Sequence, residues 1–303
     1  MSDSTAILRT TVFLYSAIFA FSILITVAFR KADWGRDMRK AILSWGALFV
    51  LFLGTSYAGN ALFTCLIALI GFLAINEYYR MRKMSSVPLI AASGLMVVGA
   101  GVALFFGRRE IFYAIPGISA MIFFSAHIAF GSFDRINDTV GTAVTGFIYW
   151  GWLPFHFVLL RRLDHGFGYI VVLCTMIAFN DNSAYYVGKL LGKRSPKFSP
   201  RISPNKTWAG SVGGFIGTIL IALAFRFTVP HFSTLMVLSL AIVVALSIPI
   251  GDLIESAIKR DLKVKDAGNL IPGHGGAMDR FDSWIFASPI MYCFLLLTSF
   301  TRS

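Results

Sequence analysis

Between Ser256 and Asp282 the chain reads SAIKRDLKVKDAGNLIPGHGGAMDRFD, directly after a long apolar run. The stretch holds the basic residues Lys259, Arg260, Lys263, Lys265 and Arg280, together with Asp261, Asp266, His274, Asp279 and Asp282. With Asp252 and Glu255 just upstream, six of the fifteen acids of the protein fall between 252 and 282. On a helix, Asp252, Glu255 and Lys259 share one face through their three- and four-residue spacings. Asp279 and Asp282 share a face of a helix that starts near Met278. Hard oxygen ligands in two such pairs suit Mg²⁺, which keeps several waters and binds through one or two carboxylates plus substrate phosphate. The run Pro272-Gly273-His274-Gly275-Gly276 is a tight turn that lets backbone approach a ligand closely. His274 stands where it can bond a phosphate oxygen or orient a ligand. Scarce charges gathered beside an apolar run point to a highly charged ligand, a metal-bound phosphate first of all.

Two further features lie upstream. Asp181, flanked by Asn180 and Asn182, falls well inside an apolar segment. A carboxylate there costs about 2.5–3.5 kcal/mol on insertion scales, so it is expected to face a polar cavity within a cluster of oxygen ligands. The loop KRSPKFSPRISPNKTW, 193–208, carries three Ser-Pro pairs that keep it out of helix. Its Lys193, Arg194, Lys197, Arg201 and Lys206 make it strongly basic, and Asn205, Lys206 and Thr207 read as a phosphate cradle. Gly210, Gly213, Gly214 and Gly217 then open a helix that can pack closely, and whose amino terminus could offer donors to an anion. His127, His156, His165 and His231 sit alone in the sequence, and Glu77 and Arg226 read as snorkelling residues at span edges. Walker A, GxGxxG and nucleophile-elbow patterns are absent. The chemistry that fits is metal-assisted phosphoryl or nucleotidyl transfer.

The elements that must carry these residues are membrane helices. The 303-residue chain is 56% hydrophobic and 14% charged, with a net charge of +12. An all-α, polytopic transmembrane bundle is expected, with ten spans at about 11–29, 41–57, 60–78, 87–107, 111–131, 139–160, 167–188, 209–229, 234–255 and 284–300. Ser56–Asn60 is a weak break, and the count falls to eight or nine if the second and third spans form one re-entrant unit. No cleavable signal is expected, because the first apolar run is of full span length. Alternate loops 30–40, 79–86, 132–138, 189–208 and 256–283 hold 20 of the 27 Lys and Arg, which places them in the cytoplasm and both termini outside. Topology and anionic lipid account for the positive charge without nucleic acid. Cys65, Cys174 and Cys293 lie far apart in apolar spans and read as packed thiols. Two regions result: a transmembrane scaffold, 1–165, and a chemically loaded half, 166–303. The site is expected at the cytoplasmic ends of the last four spans.

Ser256, Lys259 and Arg260, then Lys265-Asp266, His274-Gly275-Gly276 and Asp279-Arg280-Phe281-Asp282 resemble, with matching spacing, the carboxy-terminal signature of the phosphatidate cytidylyltransferases. Asp181 to Tyr185 and Ile202 to Thr207 are similar to a second region of that family. Motif resemblance covers about 180–283. Two positions depart from the family pattern: Ala209 where a Glu usually follows Lys-Thr-x, and Ala277 where a larger apolar residue follows His-Gly-Gly.

The resemblance implies the reaction of CTP with phosphatidate to CDP-diacylglycerol and pyrophosphate, in phospholipid biosynthesis at a bacterial inner membrane. It implies Asp252 and Asp279 as leading metal ligands for Mg²⁺ (with or without a second cation), then Asp282 and Asp181. Asp252, Asp279, Lys259, Arg260 and His274 would form the catalytic set. Ser203, Asn205, Lys206, Thr207, Lys265 and Arg280 would bind the substrate phosphates. CTP, phosphatidate and membrane lipids are the implied partners, and a homodimer is compatible with the sequence. Two other readings stay open at this stage: a relative acting on another lipid phosphate, and an ion-coupled transporter using Asp181.

Overall fold

The structure, a computed structural model, describes residues 4–16, 33–84, 86–130, 135–268 and 275–300. Helix α1 covers 4–16, followed by α2 (Asp33–Ala58), α3 (Asn60–Met81), α4 (Val87–Phe105) and α5 (Arg109–Phe130). Next comes α6 (Ile136–Gly146), which runs through a π-helical stretch, Phe147–Trp152, and a 3₁₀ turn, Leu153–Phe155, into α7 (His156–Arg161). The second half comprises α8 (Gly166–Leu191), a hairpin of β1 (Lys197–Ser199) and β2 (Ser203–Thr207), then α9 (Trp208–Ala224), α10 (Thr234–Asp261) and α11 (Met278–Phe300).

Among the described residues, seven helical segments are long and apolar enough to cross a membrane: α3, α4, α5, the run Ile136–Arg161, α8, α10 and α11. Two expected spans correspond to shorter apolar helices, Gly46–Ala58 and Trp208–Ala224. Most of the expected span 11–29 lies outside the described residues. The weak break at Ser56–Asn60 is a one-residue joint: α2 ends at Ala58, α3 begins at Asn60, and Gly59 between them has φ +146° and ψ 167°. That region of backbone space is open essentially to glycine alone. The chain doubles back there, bringing the Phe52 and Phe63 rings to 5.0 Å.

Small residues set the helix spacing, as expected where lipid removes the hydrophobic drive between helices. A methyl group on Gly213 would meet Val187 at 2.5 Å, and one on Gly210 would meet the Ala184 carbonyl at 2.8 Å. The glycine stripe of α9 therefore lies flush against α8. Gly251 does the same for α10 and α11, where a methyl would come within 2.7 Å of the Asp282 carbonyl oxygen. The core is one aromatic-rich cluster that runs through both halves of the chain. Trp284 of α11, for example, meets Phe52 of α2 at 5.0 Å and Phe157 of α7 at 5.9 Å. The outer faces stay apolar, with Val50, Leu95, Leu190 and Leu235 each exposed, which is what a lipid-facing surface requires.

The expected loop at 193–208 is extended rather than irregular. Its prolines keep it out of helix, and an antiparallel pairing of Lys197 with Thr207 and Ser199 with Ser203 supplies the backbone bonds that helix would have made.

Candidate active site

Helix α10 carries Asp252, Glu255 and Lys259 on one face, and packing at Gly251 brings that face against the start of α11. The Lys259 ammonium sits 2.8 Å from Glu255 Oε1 and 2.7 Å from Asp279 Oδ1. Glu255 is 1% exposed, so this triad is desolvated and each charge depends on the others. Asp279 is held on its other oxygen as well: Oδ2 accepts the backbone N–H of Gly276 at 2.7 Å and of Ala267 at 3.0 Å. Gly275 has φ +84°, and a methyl there would come within 2.5 Å of the Asp279 carboxylate. Conformation and space together require glycine at that position.

A residue from the first half of the chain completes this region. Glu77 of α3 accepts the N–H groups of Ala277 and Met278, each at 2.9 Å, through its two carboxylate oxygens. It is 8% exposed and so is not a snorkelling residue at a span edge. Two of the four donors orphaned at the start of α11 find their acceptor here.

The hairpin docks on α10 at two points. Lys206 forms an ion pair with Asp252, and Arg260 donates from Nε to the Ile202 carbonyl at 3.2 Å. The amino terminus of α9 is not a free anion site. Trp208 N–H donates to the Pro196 carbonyl at 3.1 Å, Ala209 N–H to Ser195 Oγ at 2.9 Å, and Gly210 N–H to Thr207 Oγ1 at 3.1 Å. Thr207 is thus the buried N-cap of α9, with its hydroxyl spent on Gly210. Ser203 is half-buried, Asn205 is exposed, and Arg260 and Lys265 are exposed at the end of α10 and just beyond it.

A second acidic group lies beside the triad. Asp282 is within electrostatic reach of Asp252, Glu255 and Asp181. Asp181, on α8, also feels Lys206. Its neighbours do not form the expected ligand cluster: Asn180 donates to Thr218 Oγ1 of α9 at 2.9 Å, and Asn182 turns back to the Ala178 carbonyl at 2.8 Å. Both asparagine amides thus serve helix backbone or helix packing, leaving Asp181 to face the site. Arg280 lies in electrostatic reach of Asp279 and Asp282. Tyr149, from the π-helical stretch, interacts electrostatically with Asp282 and Glu255. Its hydroxyl is buried without a hydrogen-bond partner among the described residues.

Among the described residues no three His, Cys, Asp or Glu side chains converge closely enough to hold a metal ion by themselves. Asp252, Asp282 and Asp181 supply hard carboxylate oxygens, the donor type that a divalent cation takes. The three lie within electrostatic reach of one another, with Asp252 held by Ser256 and Lys206 and Asp282 by the Ser283 N–H. Mg²⁺ takes one or two such carboxylates and fills its remaining positions with water and phosphate oxygen. Both oxygens of Asp279 serve Lys259, Ala267 and Gly276, and both oxygens of Asp252 are likewise engaged, by Ser256 and Lys206.

Of the sequence-derived site residues, Asp181, Lys206, Asp252, Lys259, Asp279, Arg280 and Asp282 thus fall in one neighbourhood, while Thr207 caps α9. His274 lies outside the described residues. The remaining histidines are not all isolated: His165 and His231 stack at 4.3 Å, with His231 Nε2 hydrogen-bonded to the Tyr169 hydroxyl at 2.8 Å. That pair sits at the amino end of α8, where His165 is the N-cap, well away in sequence from Asp181.

Residues 39–298 match the model of the cytidylyltransferase family. The chain belongs to that family. Among its relatives, a phosphatidate cytidylyltransferase of Bacillus subtilis (strain 168) is 36% identical over 273 residues, covering 87% of this chain and 99% of that protein. A phosphatidate cytidylyltransferase of Staphylococcus epidermidis is 30% identical over 253 residues, covering 82% of this chain and 95% of the relative. An Escherichia coli (strain K12) protein, the uncharacterized protein YnbB, is 29% identical over 304 residues, with 92% and 96% covered. The cytidylyltransferase match extends over both halves of the chain, as do the residues around the site: Glu77 and Tyr149 come from one half and the carboxylates of α8, α10 and α11 from the other.

Proposed function

We propose that this chain is an integral-membrane phosphatidate cytidylyltransferase, joining CTP and phosphatidate to give CDP-diacylglycerol and pyrophosphate at the cytoplasmic face of a bacterial inner membrane. The observation that carries the reading is the grouping of Asp181, Asp252 and Asp282 beside Lys206 and Lys259, in a chain 36% identical to a relative of that name. An oxygen of the lipid phosphate forms a bond to the α-phosphorus of CTP while the bond to the β-phosphate oxygen breaks and pyrophosphate leaves. The lipid phosphate enters as an anion, so positioning and charge neutralisation do most of the catalysis.

Asp252 and Asp282, backed by Asp181, are the residues that would hold Mg²⁺, which would neutralise charge on the triphosphate as the bond to the leaving group lengthens. Lys206 pairs with Asp252, Arg280 lies in electrostatic reach of Asp282, and Lys259 brings a further positive charge on the same face of α10. Glu255 and Asp279 keep the Lys259 ammonium charged and aimed. Exposed Arg260 and Lys265, with Arg280, Ser203 and Asn205, provide outer contacts for the polyphosphate. An open apolar groove of about 680 Å³ along α8 and α9, lined by Val187, Leu191, Trp208, Val212 and Ile216, suits an acyl chain.

The test is pyrophosphate release by purified protein in detergent with CTP, phosphatidate and Mg²⁺. Release that needs all three and falls at least about a hundredfold in Asp282→Asn, the scale of losing one electrostatic stabiliser, supports the reading. No release from folded protein sinks it.

A further inference from the structure

We infer that Glu77 is a positioning residue for the active site, gripping from α3 the same backbone segments that Asp279 grips from α11. The two carboxylates hold neighbouring amides. Glu77 accepts N–H 277 and N–H 278, while Asp279 accepts N–H 276 and N–H 267. Glycine lies between them: a methyl on Gly268 would stand 2.9 Å from Glu77 Oε1, and one on Gly276 would overlap the Glu77 carboxylate outright. A methyl on Gly275 would strike Asp279 from the other side. The backbone at 267–268 and 275–278 is therefore sandwiched between two acids, and glycine is what lets both approach.

An ordinary helix start would use a local Ser, Thr, Asp or Asn as its cap. Here the acceptor comes from 200 residues earlier, so it does more than satisfy two donors. It fixes where α11 begins relative to α3, and with it the positions of Asp279, Arg280 and Asp282. Glu77 and Asp279 also repel each other. Lys259 offsets that charge on the Asp279 side, and the positive end of the α11 dipole together with Arg80 offsets it on the Glu77 side. Loss of Glu77 frees one wall of the sandwich, and Asp279 then holds Lys259 less firmly.

The activity readout rests on the cytidylyl-transfer reading above, so the experiment adds one that does not. In Glu77→Gln, which keeps the shape and one acceptor, amide hydrogen exchange is measured at four positions. Exchange is expected to quicken at least tenfold at Ala277 and Met278, whose acceptor is altered, and also at Ala267 and Gly276, whose acceptor is Asp279. Turnover in pyrophosphate release is expected to fall at least tenfold, with KM for phosphatidate within twofold. Combining Glu77→Gln with Asp279→Asn is expected to be no worse than Asp279→Asn alone, since both act through one segment. Gly276→Ala, which crowds the Glu77 carboxylate without deleting it, is expected to give the same exchange pattern. Quickening confined to 277 and 278, or multiplicative losses in the double variant, overturns the inference and leaves Glu77 a simple cap. Wild-type protein that releases no pyrophosphate while the four amides respond together overturns the activity reading and keeps the positioning one.

Discussion

Lys259 sits between two acids that cannot do without it. Removing the ammonium by Lys259→Met leaves Glu255 and Asp279 facing each other in a desolvated site. Breaking a buried pair in this way costs about 3–5 kcal/mol, and thermal unfolding in detergent is expected to report a loss of that order. Tyr149 gives the opposite case. Its hydroxyl has no partner among the described residues, so Tyr149→Phe removes an unmet donor and is expected to leave substrate-free stability unchanged or higher by about 1 kcal/mol. The same unfolding measurement checks it. At this scale the sequence was informative where spacing is short. Asp252, Glu255 and Lys259 share a helix face, and Asp279 and Asp282 lie three apart, so their grouping follows from helical geometry. Glu77 was not legible, because its partners are 200 residues away and a lone acid near the end of an apolar run looks interfacial.

The elements around the site are joined by caps and glycines rather than by apolar burial alone. Thr207 ends β2 and starts α9, and its hydroxyl accepts from Gly210. Thr207→Val is expected to lower stability by about 1 kcal/mol, the usual worth of an N-cap, while Thr207→Ser keeps it. Gly213→Ala places a methyl at 2.5 Å from Val187 and is expected to cost about 1–3 kcal/mol as α8 and α9 separate. Far-UV circular dichroism on heating tests both. The glycine stripe announced this close packing in advance, and the Ser-Pro pairs announced a non-helical loop. The hairpin itself was hidden, since its strands are three and five residues long and β2 contains Pro204. Such short strands carry no alternation to read. Ser195, Pro196 and Thr207 also spend the first three donors of α9, which the glycine-rich helix start offers to an anion on sequence alone.

At the scale of the whole molecule, seven helical segments among the described residues are long and apolar enough to cross a membrane, and α8, about 39 Å long at 1.5 Å per residue, separates Asp164 from Lys189. The basic-loop pattern puts Lys263 inside and Asp164 outside. In a cysteine-free background, an impermeant thiol reagent applied to intact cells is expected to label Asp164→Cys and spare Lys263→Cys, and the reverse result inverts the topology. Hydropathy gives ten candidate runs, eight or nine if the second and third are one unit, and the described ones are mostly helical, seven of the helical segments being of crossing length. What hydropathy could not convey is which runs touch. The aromatic cluster that joins Phe52, Phe157 and Trp284 depends on tertiary packing between runs with no shared periodicity.

The grip of α3 on the first turn of α11 also sets what can be transplanted. A chimera that grafts residues 166–303 onto the first half of an unrelated membrane protein would carry almost every acid and base of the site, yet arrive with two bare amides and no acid to meet them. The smallest portable catalytic unit is therefore discontinuous: the second half together with one helix that is separated from it by four others in chain order.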